Sequence, residues 1–469
     1  MIYTEKNILK NIKAVYFIGI GGIGMSALAA YFLKSGIFTA GYDKIPSKIT
    51  KNLENIGAKI HFSDAVNLIP SEIISVEKED VLIVYTPAIP ETHSELKFFK
   101  VNNYKVLKRS DILGILTSLS KVIAVAGTHG KTSVSTIIAH IFKHSGNNAN
   151  AFLGGISKNY NSNLILSDSP KNAEFVVTEA DEYDRSFLKL FPHTAVITVI
   201  DEDHLDIYKD INDIRNAFEQ FVNQINKNGN LVLKNSLIIN QAVLPKHVFT
   251  YALNSKSDYY AESIKSNTVR SQFNIVTPNG VIKDIVINIP GNLNIENTIA
   301  AVAVADINGI SHQQIKDALA SWQGVKRRFE YIINSSDMVY IDDYAHHPEE
   351  LKAFIGSVRK LYPKKSLTGI FQPHLYSRTR DFADAFARSL SLCDKVILTD
   401  IYPAREKPIA GVSSKIIFDK IECKEKILTV KEELLNHIKV ENNTVYMTMG
   451  AGDIDRYANK IKNRLLRNE

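Results

Sequence analysis

Two short glycine-rich stretches in this chain could each cradle phosphate. The first is "GIGGIGM", Gly19 to Met25, directly after the apolar run "AVYFI". Gly19, Gly21, Gly22 and Gly24 let a diphosphate approach backbone N–H groups at a helix start. On its own this fingerprint points to a nicotinamide or flavin dinucleotide. The second is "GTHGKT", comprising Gly127, Thr128, His129, Gly130, Lys131 and Thr132, after the apolar run "KVIAVA". It is a shortened phosphate loop, because Val125 stands where the longer pattern has glycine. The physics survives the shortening. Backbone N–H groups line an anion, Lys131 reaches terminal phosphates, and the Thr132 hydroxyl suits magnesium. A second phosphate loop argues against a simple dehydrogenase.

A phosphate loop needs acidic or imidazole partners for its metal. "VVTEADEYDRSF" places Glu179, Asp181, Glu182 and Asp184 after a strand. "VITVIDEDHLDIY" places Asp201, Glu202, Asp203, His204 and Asp206 after another. In open α/β sheets, ligands gather beyond the carboxyl ends of the strands. Both clusters are therefore expected on the side of the phosphate loop. Later in the chain, "FQPHLYSRTR" brings His374 and Arg378 four residues apart. A guanidinium there suits a carboxylate through a bidentate fork.

These residues need elements to hold them. Strands and helices alternate along three blocks, which predicts parallel, doubly wound sheets. In the first block "AVYFIGI", "FTAGYD" and "VLIVYTPAI" read as strands, and "GMSALAAYFLKSG" as a helix ending at Gly36. In the second, "KVIAVA", "EFVVTEAD" and "TAVITVI" read as strands, and the helix after the phosphate loop ends near Gly146. The polar stretch at 226–290 predicts antiparallel pieces at "GNLVLK" and "GVIKDIVINI". In the third, "MVYIDDY", "SLTGIFQ", "KVILTDIYPA" and "TVYMTMGAGD" alternate with helices. The expected fold class is α/β with three domains: a Rossmann-like N-terminal domain at 1–119, a central P-loop domain at 120–324 and a Rossmann-like C-terminal domain at 325–469.

Composition agrees with a soluble protein. Of 469 residues 45% are hydrophobic and 23% charged, ordinary for a globular chain. Cys393 and Cys423 are too few and too isolated for a disulfide framework or a zinc site. No signal peptide and no run of transmembrane length is visible, so a cytoplasmic location without membrane insertion is expected. The net charge of +6 is modest. With no basic stripe interleaved with aromatics, small anionic ligands are favoured over nucleic acid.

Taken in order, "GIGGIGMSALA", "GTHGKT", "EADEYDRSFL", "DEDHLDIY", "GNLNIENTIAA", "GVKRRFE", "DDYAHHP", "FQPHLYSRTRDF", "DIYPARE" and "GAGD" make the chain resemble the Mur ligase family of peptidoglycan synthesis. The resemblance runs almost the whole length. It implies a UDP-substrate domain, an ATPase core and a C-terminal domain that closes over both. It also implies ATP-dependent amide formation between the lactyl carboxylate of UDP-N-acetylmuramate and L-alanine, with ATP and Mg2+ required, in a monomer or weak homodimer. By position, Gly127, Lys131 and Thr132 match the family's phosphate loop, and Glu179 and His204 its magnesium ligands. Asn294 and Asn297 match asparagines near the adenine. Arg328 and Asp343 match nucleotide contacts of the C-terminal domain, Asp343 on the ribose. Tyr344, His374 and Arg378 match the amino-acid side, and Gly19, Gly21, Gly22 and Gly24 the loop for the UDP diphosphate.

Some positions depart from the family. Leu293 replaces a frequent histidine, Leu375 an arginine and Tyr183 a serine. A carbamylated lysine found in some members has no identified equivalent; Glu219 occupies that region. The general base stays open among His204, His346, His347 and His374. Asp43, at the end of the second strand, either contacts the uridine part or caps a turn. The alternatives are a recycling ligase that adds a tripeptide to the same UDP-sugar, a folylpolyglutamate-synthase-like ligase, a non-catalytic nucleotide-binding regulator, and a nicotinamide-dependent dehydrogenase. The forms "GIGGIGM" and "FQPHLYSRTR" favour the alanine-adding activity.

Overall fold

A computed structural model describes residues 9, 11–118, 120–202, 207–404 and 406–466. Among the described residues the strands form three sheets, of five, ten and six strands. They fall into two compact units. One contains Met1–Ile264, Gln272–Ile287 and Glu296–Gln323; the other contains Lys265–Ser271, Asn288–Ile295 and Gly324–Glu469.

In the first unit the five-stranded sheet is parallel, in the order Lys59–His61, Phe38–Tyr42, Ala14–Ile18, Val81–Tyr85 and Lys105–Lys108. Its central strand is buried on both faces. Val15 and Phe17 enter one core, and Ala14, Tyr16 and Ile18 the other. That double burial is why "AVYFI" reads as an unbroken apolar run. The helix expected after it spans Ile23–Lys34. It packs across to the second sheet: the Tyr31 ring lies 5.7 Å from Phe152, and Asn163 Nδ2 donates to Ser26 Oγ at 3.0 Å. One apolar core therefore runs from Phe17 and Phe32 through Phe152 to Val122 and Ala124. Burying each such side chain contributes roughly 1.5–3 kcal/mol.

In the ten-stranded sheet Lys121–Ala126 is paired in parallel with Thr194–Ile197 on one side and Phe175–Ala180 on the other. Three neighbouring strands thus deliver "GTHGKT", "EADEYD" and the segment Ile200–Glu202 to the same sheet edge. The segment "GNLVLK" departs from expectation. Asn230–Lys234 pairs in parallel with both Thr194–Ile197 and His247–Ala252. The helix Ile211–Asn223 precedes it, and such a crossover returns the chain in the same direction. In this sheet Ala149–Ser157 pairs antiparallel with Ser162–Ile165, and within the polar stretch an antiparallel pair comes after Asn230–Lys234. Ser271–Thr277 and Gly280–Ile287 are neighbours in the sheet, and a two-residue connection permits nothing else.

The second unit carries the six-stranded sheet, ordered Glu330–Asn334, Met338–Asp343, Thr444–Met449, Ser366–Phe371, Lys395–Leu398 and Glu425–Leu428. Its first pair is antiparallel and the rest parallel.

The helix that starts at the phosphate loop, Lys131–His144, is buried from Thr132 through Phe142. A buried imidazole ties it to the end of the unit. His140 Nδ1 lies 2.9 Å from Tyr160 Oη, and Nε2 lies 3.0 Å from Ala318 O and 2.9 Å from Ser321 Oγ. Burial pushes the imidazole down to about 4, against a hydrogen bond to Ala318 O that favours its charged form. The unfolded chain binds this proton from about pH 6.5 downward, and the folded chain does not until about pH 4. Stability is therefore lost as pH falls through that window. His140→Gln is expected to flatten the acid limb: urea unfolding at pH 7 and pH 4.5 should differ less than in the unsubstituted chain. An equal or larger difference would remove His140 from this role.

Candidate active site

The phosphate loop turns inward over the strand end. Gly127 adopts φ +131°, and a β-carbon there would stand 2.1 Å from Thr198 Oγ1. Only glycine serves there. Thr128 donates its N–H to Val199 O at 2.9 Å, and Thr128 Oγ1 accepts from Asp201 N at 3.2 Å. His129 Nε2 lies 3.7 Å from Asp201 Oδ2. These contacts fasten the loop to Val199–Asp201, the segment that follows the strand Thr194–Ile197. The N–H groups of the first helical turn stay directed outward, as an anion site requires.

Lys131 begins the helix and folds back over the loop. Its Nζ donates to Gly127 O at 2.7 Å and to both Glu182 oxygens, at 2.9 and 2.8 Å. Burial pulls this ammonium down, and Glu182, Asp181 and Glu179 push it up; the net direction is upward. Glu179 stands one strand over, at the end of the neighbouring strand Phe175–Ala180. It accepts from Gly154 N at 2.7 Å, Thr132 Oγ1 at 3.2 Å and Ser135 Oγ at 3.3 Å. A hydroxyl and a carboxylate side by side form the hard oxygen set that magnesium takes, with water and phosphate completing it. Among the described residues, no three His, Cys, Asp or Glu side chains converge as a metal cluster. His204, Asp203 and Asp206 lie outside the described residues. Glu219 braces a loop instead, accepting from Asn240 N at 3.2 Å.

The first glycine loop is built differently. Gly19 and Ile20 donate their N–H groups to Tyr42 O at 2.8 and 3.0 Å, and Gly22 donates to Gly19 O at 3.2 Å. Gly21 N donates to Asp43 Oδ2 at 2.7 Å. Asp43 is thus a brace for the glycine loop. The N–H groups of Gly19, Gly21 and Gly22 are thus spent inward, and those an anion could use are in the first turn of the helix, Ile23 to Met25. A β-carbon on Gly24 would stand 2.7 Å from Arg109 Nη1, so a guanidinium covers that helix start. No spacing signal in the sequence marked Arg109. Lys108 and Arg109 in turn meet Asp184 at 2.9 Å and Asp181 at 3.7 Å.

Asn297 faces the phosphate loop: its Oδ1 lies 3.0 Å from where a Gly130 β-carbon would stand. Asn294 Nδ2 donates to Pro290 O at 2.8 Å, and Leu293 beside it is exposed.

In the second unit, "KRRFE" and "DDYAHHP" fold together. Arg327 and Arg328 place their guanidinium carbons 5.2 and 5.1 Å from the centre of the Tyr344 ring. Arg327 Nε donates to Asp342 Oδ2 at 3.2 Å, and Arg328 Nη1 lies 3.8 Å from Glu350 Oε1. Asp343 accepts from Phe329 N at 2.7 Å and Ala345 N at 2.8 Å. Burial raises its carboxyl to about 6, against the opposing pull of Arg328 and the two backbone donors. Those bonds hold a strained turn, with Arg327 at φ 60° and Phe329 at φ 48°.

Aromatic rings extend this cluster. His346 meets Tyr344 edge to face at 5.2 Å and His374 at 6.0 Å, and His374 stacks on Tyr402 at 5.9 Å. Arg378 is buried, with Nη1 3.5 Å from His374 Nδ1. His347 takes a packing position instead: it is 4% exposed, edge-on to Phe382 at 5.1 Å. It precedes the helix Pro348–Leu361, where Glu350 accepts the N–H groups of His346 and His347 at 3.0 and 3.3 Å. Glu350 and Tyr402 were not singled out from sequence, although the spacing from His347 to Glu350 fits an N-terminal cap.

Comparison with known proteins decides the family. The Mur ligase family catalytic domain matches residues 14–121, the Mur ligase middle domain 125–305, and the Mur ligase glutamate ligase domain 327–452. The chain belongs to the Mur ligase family. A UDP-N-acetylmuramate–L-alanine ligase of Parabacteroides distasonis is 48% identical over 457 residues, covering 97% of each chain. One from Porphyromonas gingivalis is 48% identical, covering 97% of this chain and 99% of its own. A crystal structure of the UDP-N-acetylmuramate–alanine ligase of Thermotoga maritima superposes with TM-score 0.81 at 25% identity, over 97% of this chain and 100% of that one. A murein peptide ligase of Psychrobacter arcticus shares the fold, with TM-score 0.71 at 22% identity over 97% of this chain.

In this Mur ligase the Arg327–Phe329 turn depends on the Asp343 carboxylate. Asp343→Ala leaves two buried N–H groups without their acceptor, which costs roughly 1–3 kcal/mol. Urea unfolding should show a loss of that size, and an unchanged midpoint would contradict the assignment.

Proposed function

We propose that this Mur ligase joins L-alanine to the lactyl carboxylate of UDP-N-acetylmuramate at the expense of ATP. The products are UDP-N-acetylmuramoyl-L-alanine, ADP and phosphate. The observation that carries the reading is the presence of two anion-accepting helix starts in one unit and an arginine–histidine–tyrosine cluster in the other. The full-length likeness to the alanine-adding ligases supports the same substrates. The loop at 127–132 takes ATP. The helix start at Ile23–Met25, under Arg109, takes the UDP diphosphate.

A carboxylate resists attack by an amine, so it is first activated. A lactyl oxygen attacks the γ-phosphorus, the bond to the β–γ bridging oxygen breaks, and ADP leaves. Lys131 neutralises charge on the transferring group, and the first helical turn after Gly130 orients it. A magnesium ion held by Thr132 and Glu179, with His204, would add charge neutralisation at the terminal phosphates. The alanine nitrogen then attacks the acyl carbon, the tetrahedral intermediate collapses, and phosphate leaves. Arg378 grips the alanine carboxylate through its fork. The amine proton passes to a base on the His346–His374 side, since His347 is packed against Phe382. Asn294, Asn297, Arg328 and Asp343 contribute to nucleotide binding. In this reading the reaction belongs to the cytoplasm; no described helix is long and apolar enough to cross a membrane.

The test is phosphate release with ATP, magnesium, UDP-N-acetylmuramate and L-alanine, leaving out each in turn. Turnover is expected only with all four. Release without L-alanine, or equal turnover with a tripeptide in its place, would overturn the reading. Lys131→Ala should lower kcat by on the order of 10²-fold or more while leaving UDP-N-acetylmuramate affinity unchanged.

A further inference from the structure

Lys131 is the cation an incoming triphosphate needs, and another anion already holds it. An ammonium has three N–H donors. Gly127 O and the two Glu182 oxygens, at 2.7, 2.9 and 2.8 Å, engage all of them. Thr128 O stands further off at 3.4 Å. The Glu182 side chain is 1% exposed, so bulk water does not loosen the pair.

The backbone beneath Glu182 is anchored. Its carbonyl accepts from the buried Tyr208 hydroxyl at 2.6 Å. The Arg185 guanidinium lies 5.0 Å from the centre of the Tyr208 ring and donates to both Asp213 oxygens at 2.7 and 2.8 Å. Asp184 and Arg185 both adopt left-handed φ, at 54° and 52°. Two such residues in succession are strained, and strain persists only where surrounding bonds enforce it. The chain spends conformational energy on holding this carboxylate against Lys131.

We propose that Glu182 is the resting-state counterion of Lys131 and competes with the nucleotide's terminal phosphates for it. The proposal rests on the loop at 127–132 being the ATP site. Before nucleotide arrives, Glu182 keeps the buried ammonium paired and points it along the loop. When nucleotide binds, Lys131 releases one or both carboxylate oxygens and takes phosphate oxygens instead. Glu182 is thus a positioning residue. Apparent affinity for ATP is reduced by the fraction of time Lys131 is free to receive it.

Calorimetric binding of ATP, AMP and UDP-N-acetylmuramate, with magnesium present, separates this from a purely structural role. A neutral amide, with one acceptor oxygen and no charge, competes with phosphate for an ammonium far less than a carboxylate does. Glu182→Gln is expected to bind ATP at least about threefold more tightly, and Glu182→Asp, which keeps the charge on a shorter arm, to change in the same direction by less. Affinity for AMP, which lacks the terminal phosphates, and for the UDP-sugar should be unchanged. A merely structural residue would weaken ATP binding when replaced. If the glutamine variant does not fold, the unsubstituted chain crystallised with a non-hydrolysable ATP analogue decides. Lys131 Nζ should then stand beyond hydrogen-bond distance of at least one Glu182 oxygen. Unchanged or weaker ATP binding in the folded variants, or both carboxylate oxygens still on Nζ beside the analogue, would overturn the proposal. An unsubstituted chain that binds no ATP at all would instead overturn the underlying assignment of the loop.

Discussion

A buried ammonium is the constraint around which the nucleotide-binding part of this molecule is arranged. Lys131 is 15% exposed, and its partner Glu182 is 1% exposed. Removing one member of such a pair leaves an uncompensated charge, a loss of about 3–5 kcal/mol. The fold meets this demand by topology. Three adjacent parallel strands end at the same edge, so the loop, the acid-rich turn and the Thr198–Asp201 segment arrive together. The helix from Lys131 is sheathed in apolar contacts and tied by His140 to the end of the unit. Every layer beneath the loop serves to keep one charge fixed in a place where water would otherwise disperse it.

The two glycine loops look alike in sequence and differ in physics. At the first, backbone N–H groups of Gly19, Ile20, Gly21 and Gly22 bond inward, to Tyr42, Asp43 and Gly19 itself. The Arg109 guanidinium lies over Gly24 at the helix start. At the second, a lysine from the loop's own helix supplies the charge. One loop is thus suited to gripping a diphosphate that stays intact. The other carries a paired lysine ammonium at the start of its own helix. This contrast resolves the apparent dinucleotide fingerprint: its glycines report close backbone approach, not the identity of the cofactor.

Much of the architecture was legible because burial writes itself into composition. "AVYFI" and "KVIAVA" are buried on both faces and therefore read as continuous apolar strands. The Asn230–Lys234 strand was misjudged because pairing direction depends on the crossover before it, which local composition does not encode. The edge strands Lys59–His61 and Lys105–Lys108 are short and flanked by lysine, so period and hydrophobicity were both weak. Strand–loop–helix spacing singled out Lys131 and Thr132, and the acidic cluster after a strand singled out Glu179 and Glu182; the structure brings Thr132 beside Glu179 and Lys131 beside Glu182. Arg109, Glu350 and Tyr402 were not singled out, because their importance arises from contacts across the fold. His346 and His347 are adjacent in sequence, yet one joins the aromatic cluster and the other packs on Phe382.

The central claim is that the lactyl carboxylate is activated by phosphoryl transfer beside Lys131 before the amine attacks. The most direct measurement follows oxygen. UDP-N-acetylmuramate labelled with oxygen-18 in its lactyl carboxylate is turned over with ATP and L-alanine, and the released phosphate is examined by mass spectrometry. An acyl phosphate sends one labelled oxygen into phosphate and leaves the other in the amide carbonyl. Phosphate free of label would contradict the account.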